Sequence, residues 1–380
     1  SRLLLIKEAG SMKLFFWQNM VSPHQVPYIR ELAQLGHDVT YITTEPMSPD
    51  RRELGWPELS LGTIPIILNP DTSTVAELIS TSTPGSVHFI AGARGTPLGR
   101  LVAKECKRHC RRVGIVTEGP DTRGPGGIVR QVIYSLERLV IGRSFNFILA
   151  IGHQGVDWFT KRGYPPDIIF PFLYTVESST TIQSVTNNVF EMIFVGRLVD
   201  LKGVDLLLTA LSDLDGFRLT IIGDGPQEGR LKALALKLRL TDHVKFVGTL
   251  SNTDAQSSIA KADLLVLPSR KDGWGAVVNE ALQAGTPVIC SDVCGAASLL
   301  TNPWAGETFK SEQIDTIKEV LSRWISKGTV TPTQRKKIKS FTKRIEPLSV
   351  ARYVDRVLAH VYFDAPRPVA PWLDLADKDT

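Results

Sequence analysis

The feature that most constrains the fold is an alternation of short apolar runs with longer amphipathic segments. In the first half, strands are predicted at KLFFW (13–17), DVTYIT (38–43), TIPIIL (63–68), SVHFIA (86–91), VGIVT (113–117) and FNFILAIG (145–152). Helices are predicted around them at 23–35, 97–112 and 127–143. Strands that alternate with helices indicate an α/β protein built on a parallel sheet.

The same rhythm restarts after a change of composition. Closely spaced prolines and a Ser/Thr-rich stretch between 165 and 184 are typical of a linker. Strands are then predicted at 192–196, 218–223, 244–248, 263–268 and 287–291, and helices at 204–214, 227–240, 253–262 and 276–284. A chain of 380 residues exceeds one ordinary domain. We predict two doubly wound, Rossmann-like domains facing across a cleft, residues 12–175 and 185–344. A helix at about 345–365 is expected to pack back on the first.

Composition excludes several classes of protein. No stretch of about 18 apolar residues is uninterrupted, which argues against a membrane-spanning helix. Four cysteines, in two C-x3-C pairs on separate predicted domains, fit a reducing compartment and not a metal site. A net charge of +5 permits an anionic ligand without singling out nucleic acid. Residues 1–11 are interpreted as a leader that is not a secretory signal, so a cytoplasmic location is expected.

Two loops at predicted strand ends carry phosphate-binding features. Gly196 lets the backbone turn, and the cations Arg197 and Lys202 follow it. Two such cations can hold a diphosphate whose charge grows as the bond to it breaks. The alternative is that both are solvated charges. Gly223, in IIGDGP (221–226), permits close backbone approach, although this sequence is also an ordinary turn.

A third loop, from 268 to 287, is more informative. Asp272 lies in a glycine-flanked turn that opens a helix, and Glu280 follows eight positions later. Free N–H groups from Gly273 through Gly275 to Ala276 suit a phosphate. Glu280 can accept hydrogen bonds from vicinal ribose hydroxyls, Asp272 can do the same for a hexose, and Trp274 can flank the ligand. The alternative is an amphipathic helix with a solvated glutamate.

Together these loops resemble the donor-binding domain of retaining glycosyltransferases of family 4, which have the GT-B fold. The matching stretches keep the family's order and spacing: VGRLVDLKGVDLLLTAL (195–211), LTIIGDGPQEGRLKALA (219–235), VKFVGTLSNTD (244–254) and ADLLVLPSRKDGWGAVVNEALQAGTPVICSD (262–292). The resemblance implies that Arg197 and Lys202 contact the donor diphosphate and that Glu280 binds the ribose. It also places the backbone near Leu250 against the base, and implies retention of configuration with no obligatory metal.

The sequence departs from the family pattern in three places. Asp272 replaces a glutamate, which shortens its reach to the sugar by one methylene. The segment after Asp292 reads VCGAAS where a Gly-Gly pair and a Glu are common, so the donor stays open between a UDP- and a GDP-sugar. The usual glycine pair of the first loop is replaced by Ser22, Pro23 and His24.

The first half is expected to hold the acceptor. His24, at a predicted helix start, is a candidate contact to donor or acceptor, and otherwise a capping or half-buried histidine. Glu118, which ends a predicted strand, is a candidate that faces the acceptor hydroxyl or the reacting sugar, and otherwise a loop carboxylate. His153 is a weaker candidate of the same kind.

The predicted helix at 98–112 is strongly basic. Its cations include Arg100, Lys104, Lys107, Arg108 and Arg111. The ordinary interpretation is a solvated face. The sharper one is peripheral contact with an acidic membrane at its inner face, which suits a lipid-linked acceptor.

The sequence therefore predicts a hexosyltransferase that uses a nucleoside diphosphate sugar and a glycan or lipid-linked acceptor. The resemblance points to bacterial-type surface polysaccharide or glycan assembly. Two alternatives stay open: a nucleotide-sugar epimerase or hydrolase of the same fold, and a non-catalytic nucleotide-sugar-binding subunit.

Overall fold

A computed structural model describes residues 10–47, 60–92, 97–120, 145–177 and 188–374. The described residues divide into two compact units. The first contains those up to 175 and those from 347 onward, and the second contains 176–346. The predicted parallel α/β layering is confirmed in both units, since every strand pair within each sheet is parallel.

The first sheet has seven strands in the order β3-β2-β1-β4-β5-β6-β7. They are β1 (Lys13–Gln18), β2 (Asp38–Thr43), β3 (Ile66–Leu68), β4 (Val87–Ala91), β5 (Arg112–Glu118), β6 (Phe147–Ile151) and β7 (Ile169–Phe172). The helices of this part are α1 (Val26–Gln34), α2 (Thr72–Thr81), α3 (Pro97–Arg108) and α4 (Gly152–Lys161). The central strands are almost wholly buried, which explains their continuous apolar sequences.

The second sheet has six strands in the order β10-β9-β8-β11-β12-β13. They are β8 (Phe190–Val195), β9 (Phe217–Ile222), β10 (Val244–Gly248), β11 (Leu264–Leu267), β12 (Val288–Ser291) and β13 (Gly306–Phe309). The helices are α5 (Val204–Leu211), α6 (Glu228–Lys237), α7 (Asn252–Lys261), α8 (Ala276–Ala284), α9 (Ile314–Lys327) and α10 (Pro332–Thr342). The order of strands reverses between β8 and β11, and such switch points are where ligands bind in open α/β sheets.

The last helix, α11 (Pro347–Phe363), belongs to the first unit and packs against α1. Its buried face includes Val350, Tyr353 and Val357, which recur at helical spacing. A short contact between His37 Nε2 and Asp355 Oδ1, 3.2 Å apart, joins α11 to the segment just before β2. The helix α11 is thus part of the first unit's core.

Several predicted elements differ from the observed ones. Four residues of the predicted linker form β7, because their apolar side chains complete the edge of the first sheet. The predicted helix at 97–112 ends at Arg108. The sequence interpretation missed β13, α9 and α10, although Thr331 and Gln334 form a capping box with a proline at the first turn of α10. The predicted helix at 127–143 and the Ser/Thr-rich stretch at 178–184 lie outside the described residues.

Candidate functional site

Glycines bring the loops after β8 and β9 into direct contact. The Gly196 N–H donates to Ile222 O at 3.0 Å. Gly223 has φ +124°, and a Cβ there would lie 2.1 Å from Gly196 O. Only glycine fits this approach, because any side chain would overlap the neighbouring carbonyl. Both loops leave the carboxyl ends of their strands, so the predicted phosphate loops lie side by side.

Lys202 and Asp272 meet at this edge of the sheet. Lys202 ends a 3₁₀ helix, Asp200–Lys202, and its Nζ lies 2.5 Å from Asp272 Oδ2. The side chains are 26% and 12% exposed, so the pair is partly shielded from water. A Cβ on Gly196 would lie 3.9 Å from Lys202 Cε, which places the lysine stem beside the first loop. The structure therefore brings together three of the predicted site residues.

Arg197 is exposed. Among the described residues, no hydrogen bond or ion pair of its guanidinium is found, in contrast to Lys202. An exposed guanidinium beside a glycine turn is available for a diphosphate, which it can grip through two parallel N–H groups.

Glycines fix the conformation of the loop before α8. Gly275 precedes the helix with φ +89°, a region that favours glycine. A Cβ there would lie 2.8 Å from both Cys294 Sγ and Leu267 Cδ2. Gly273 is half-buried, and its carbonyl would lie 2.1 Å from a Cβ on Gly295. The Val278 N–H donates to Gly275 O at 2.9 Å, and the N–H groups that precede it at the start of α8 suit an anion.

Glu280 lies on α8, half-buried. Burial raises the pKa of its carboxyl group from 4.5 to about 7. In the described part of the chain, no hydrogen bond or ion pair compensates this carboxylate. A desolvated acceptor without a partner gains much from hydroxyl donors, so vicinal hydroxyls of a ribose are chemically suited to it.

The expectation that the Trp274 ring flanks the ligand is wrong. Trp274 is 2% exposed, and its Nε1–H donates to Asn279 Oδ1 at 2.8 Å. Its carbonyl accepts from Cys294 Sγ at 2.8 Å and from the Ala296 N–H at 2.8 Å. The ring is a core side chain that anchors the loop, because a buried indole N–H needs a partner and finds it on α8.

The loop after β10 joins this group through the backbone. The Gly223 N–H donates to Gly248 O at 2.8 Å. Leu250 is half-buried and directly precedes Ser251, the N-cap of α7. Leu250 therefore belongs to the loop after β10, which contacts the Gly223 loop after β9. In the order of the sheet, β9 lies between β10 and β8, the strand that precedes Lys202.

Sequence reasoning missed one charged pair beside these loops. Arg270 donates two hydrogen bonds of 2.8 Å each to the two carboxylate oxygens of Asp205. The Arg270 hydrogen bonds lower the pKa of Asp205, and Asp205 raises that of Arg270. The two residues are 65 positions apart in the sequence, so no local spacing predicts the pair.

The first-unit candidates lie at the carboxyl ends of its own strands. His24 is half-buried in the loop between β1 and α1, and its ring centroid lies 5.6 Å from that of Tyr174. Its carbonyl accepts from the Thr175 N–H at 3.1 Å, which fixes the loop. Glu118 is the last residue of β5 and pairs in register with Ile151. His153 is the second residue of α4, not the end of a strand.

The prediction of a basic face on the helix at 98–112 is wrong for one of its five residues. Arg100, Lys104, Lys107 and Arg108 are exposed on α3, at spacings that place them on one helical face. Arg111 lies beyond the helix, and its guanidinium donates to Ile79 O at 3.1 Å and to Ser80 O at 2.9 Å. It thus binds the last carbonyls of α2 and is not part of the exposed face. We define the α3 stripe as the first four residues.

Metal-binding groups and membrane-spanning helices were both considered as features of the described residues. Across the described ranges, no group of three His, Cys, Asp or Glu side chains is placed to hold a metal ion. Within those same ranges, no helix has the length and apolarity that crossing a bilayer requires. Cys106, Cys290 and Cys294 are buried and Cys110 is exposed, all four as free thiols.

A protein family model matches most of the second unit. Residues 181–345 match the family Glycosyl transferases group 1. A glycosyltransferase of Methanocaldococcus jannaschii, itself uncharacterized, is 30% identical over 152 residues, or 40% of this chain and 43% of that protein. Glycogen synthase of Mycobacterium tuberculosis is 38% identical over 120 residues, or 30% of this chain and 29% of that protein. The chain thus matches less than half the length of these relatives.

Solved structures cover nearly the whole chain. The lipopolysaccharide outer core galactosyltransferase WaaB superposes with a TM-score of 0.69 at 18% identity, covering 93% of this chain and 99% of that one. HepE from Anabaena, in complex with UDP, has a TM-score of 0.71 at 16% identity, covering 92% and 100%. These likenesses confirm the GT-B fold class, and with the family match they support a glycosyltransferase.

Proposed function

We propose that this protein is a retaining hexosyltransferase of family 4 that uses a UDP- or GDP-sugar without an obligatory metal. The observation that carries the proposal is the grouping of Lys202, Asp272 and the glycine loops at one edge of the second sheet. Arg197, which directly follows Gly196, is exposed, and Glu280, on the helix that follows Asp272, has a carboxylate without a compensating partner among the described residues. The diphosphate, the sugar and the ribose of a donor each need a polar or charged group to bind them. All four of these charged residues lie within the family match.

The chemistry assigns each residue a role. Arg197 and Lys202 stabilise the departing diphosphate, whose negative charge increases as the glycosidic bond breaks. Glu280 accepts hydrogen bonds from the ribose, and Asp272 orients the sugar. The acceptor hydroxyl attacks on the face that the diphosphate leaves: the new bond to the anomeric carbon forms as the bond to the diphosphate breaks, the hydroxyl proton passes to the departing diphosphate oxygen, and the anomeric configuration is retained. We propose that the first unit supplies the acceptor site, with His24 and Glu118 as its candidate contacts.

A panel of nucleotide sugars tests the proposal. Thermal unfolding would be followed with UDP- and GDP-sugars, each beside its free nucleotide. A ligand at about 100 Kd stabilises the folded state by about 2.7 kcal/mol, so one nucleotide class should raise Tm clearly. The bound donor would then be incubated with glycan and lipid-linked acceptors, and NMR of the product anomeric proton would report retention. An absence of Tm shift with every nucleotide would contradict the proposal.

Replacement of Arg197 by alanine is expected to remove most turnover. The exposed guanidinium loses its bidentate grip on the diphosphate, at a cost of about 1.5–3 kcal/mol, or about 10- to 100-fold in kcat/KM. Steady-state kinetics with the donor found in the panel would measure this. Arg218→Ala is the matched control, since Arg218 is an exposed arginine near the amino end of β9 and pairs with Glu191 at 3.4 Å. Equal kinetics in both variants would exclude the role of Arg197.

We also propose that the α3 stripe contacts acidic lipid. The chain should float with vesicles of 30% phosphatidylserine at low salt and be released at 0.5 M NaCl, because each cation near the surface contributes about 1 kcal/mol. A variant with Arg100, Lys104 and Lys107 changed to glutamine should stay at the bottom of the gradient. Its Tm should match that of the wild type, since all three side chains are exposed. Salt-insensitive flotation, or none, would discard this contact.

A further inference from the structure

We propose that Arg270, with Asp205, is a positioning residue that holds Lys202 in place for the diphosphate. The inference rests on the proposed function and concerns a residue that neither the motif nor the resemblance assigns a role. Among the described residues, no hydrogen bond joins Arg270 to the Lys202 side chain. Arg270 acts on the short turn Asp200–Lys202 that carries the lysine.

Arg270 and Asp205 form a bidentate ion pair, here called the fork, that is largely shielded from water. The Nη1 and Nη2 groups each donate at 2.8 Å to a different oxygen of the carboxylate. Arg270 is 16% exposed and Asp205 18%, so solvent competes weakly for these bonds. Asp205 lies in the first turn of α5, directly after the turn that carries Lys202. The fork therefore fixes the loop after β11 to the start of α5.

The same arginine also binds the turn itself. Arg270 Nη1 donates to Asp200 O at 2.8 Å, and its backbone N–H donates to Leu201 O at 2.8 Å. Gly203, with φ +65°, closes the turn so tightly that a Cβ would lie 2.1 Å from Pro268 O. The turn is thus attached to the loop after β11 through both carbonyls that precede Lys202.

Two residues after Arg270, the same loop reaches the lysine head group. Asp272 Oδ2 contacts Lys202 Nζ at 2.5 Å. The loop therefore fixes Lys202 in two ways: Arg270 binds the backbone of the turn, and Asp272 binds the lysine ammonium. A lysine stem has several rotatable bonds, so an ammonium is kept in one position only if its backbone is also fixed. Without Arg270, the ammonium is expected to sample positions away from the diphosphate.

A second arginine provides the matched control. Arg230 approaches the same two aspartates, with 3.9 Å from Nη1 to Asp200 Oδ1 and 3.9 Å from Nη2 to Asp205 Oδ2. It is 62% exposed and has no hydrogen bond to the turn in the described part of the chain. Loss of its charge changes the local field in the same sense, without releasing the turn.

Kinetics of single and double variants test the inference. Arg270→Ala is expected to lower kcat about 10- to 100-fold, as expected for a displaced catalytic group, with a smaller change in donor KM. Arg270→Lys keeps the positive charge but cannot form the bidentate pair with Asp205, so its kcat should lie between those of the wild type and Arg270→Ala. In a Lys202→Met background, Arg270→Ala should have no further effect on kcat, because its effect passes through Lys202. Arg230→Ala should leave kcat unchanged. Additive effects of the two substitutions would overturn the inference.

A measurement without any nucleotide separates this inference from the proposed function. Competitive labelling of lysines with acetic anhydride, read by mass spectrometry, reports the exposure of the Lys202 amine. Labelling of Lys202 should rise several-fold in Arg270→Ala and in Arg270→Ala/Asp205→Asn, the second of which leaves no orphaned carboxylate, and not in Arg230→Ala. Unchanged labelling overturns the positioning role even if the enzyme is a glycosyltransferase. Increased labelling in a protein that binds no nucleotide sugar would contradict only the proposed function.

Discussion

Glu280→Ala is expected to lower kcat/KM for the donor by about 100-fold or more. The carboxylate is half-buried, and burial raises its pKa to about 7 without a compensating cation among the described residues. Two hydrogen bonds from ribose hydroxyls to a charged acceptor contribute about 1.5–3 kcal/mol each, and alanine removes both. Initial rates over a range of donor concentrations would measure the loss. Near-normal kinetics would contradict the assignment of the ribose to Glu280.

Glu280→Gln removes the charge of the carboxylate while keeping the shape of the side chain. It therefore tests how donor affinity and stability depend on pH. Wild-type donor affinity should fall as the pH is lowered through about 7, because protonation removes an acceptor, whereas the variant should show no such step. Stability should respond in the opposite sense. A folded-state pKa above the unfolded value of 4.5 contributes stability that is present below pH 4.5 and lost as the pH rises through 7.

The stability of this variant is therefore expected to exceed that of the wild type at pH 8, with a difference in Tm that closes towards pH 4.5. Such an opposition between stability and affinity is expected where a binding site keeps a desolvated charge. Thermal unfolding at several pH values, with and without the donor nucleotide, would measure both effects. Parallel pH profiles of the wild type and Glu280→Gln would show that another group titrates.

The elements of the second unit from β8 to β12 could be predicted closely because burial and sequence pattern agree there. The strand β10 and the helix α8 have the predicted bounds, 244–248 and 276–284. The parallel sheet follows from strands that are buried on both faces. Elements near the chain's middle and end were harder. β7 is short and interrupted by a proline, so its apolar residues look like part of a linker until a neighbouring strand pairs with them.

Side-chain direction in loops could not be predicted from spacing. Trp274 turns inwards because Gly275 takes a left-handed conformation and Asn279 offers a buried acceptor. Arg111 leaves the exposed stripe because α3 ends at Arg108 and frees it to bind the end of α2. In each case a specific side-chain hydrogen bond, from Trp274 to Asn279 or from Arg111 to Ile79, decides the orientation, and helical or strand periodicity carries no information about it.

Lys202→Met is expected to lower kcat about 100- to 1000-fold. The lysine Nζ is held 2.5 Å from Asp272 Oδ2 beside the glycine loops, so its charge is already in position when the diphosphate forms. Loss of one such preorganised group typically costs about 2.7–4 kcal/mol of transition-state stabilisation. Methionine keeps most of the stem's volume, so the change removes charge with little loss of packing. Single-turnover rates at saturating donor would isolate the chemical step from donor binding.

The variant also leaves Asp272 without its cation, and the loss of activity must be separated from a loss of stability. Asp272 is only 12% exposed, so an unpaired charge there is expected to lower Tm. Lys202→Met/Asp272→Asn removes that charge and should regain most of the Tm, while its turnover stays at least 100-fold below the wild type, because the diphosphate still lacks its ammonium and the sugar now also lacks the Asp272 carboxylate. If the double variant instead recovered a tenth or more of wild-type turnover, the first substitution would have acted through the orphaned carboxylate, and Lys202 would not stabilise the leaving group.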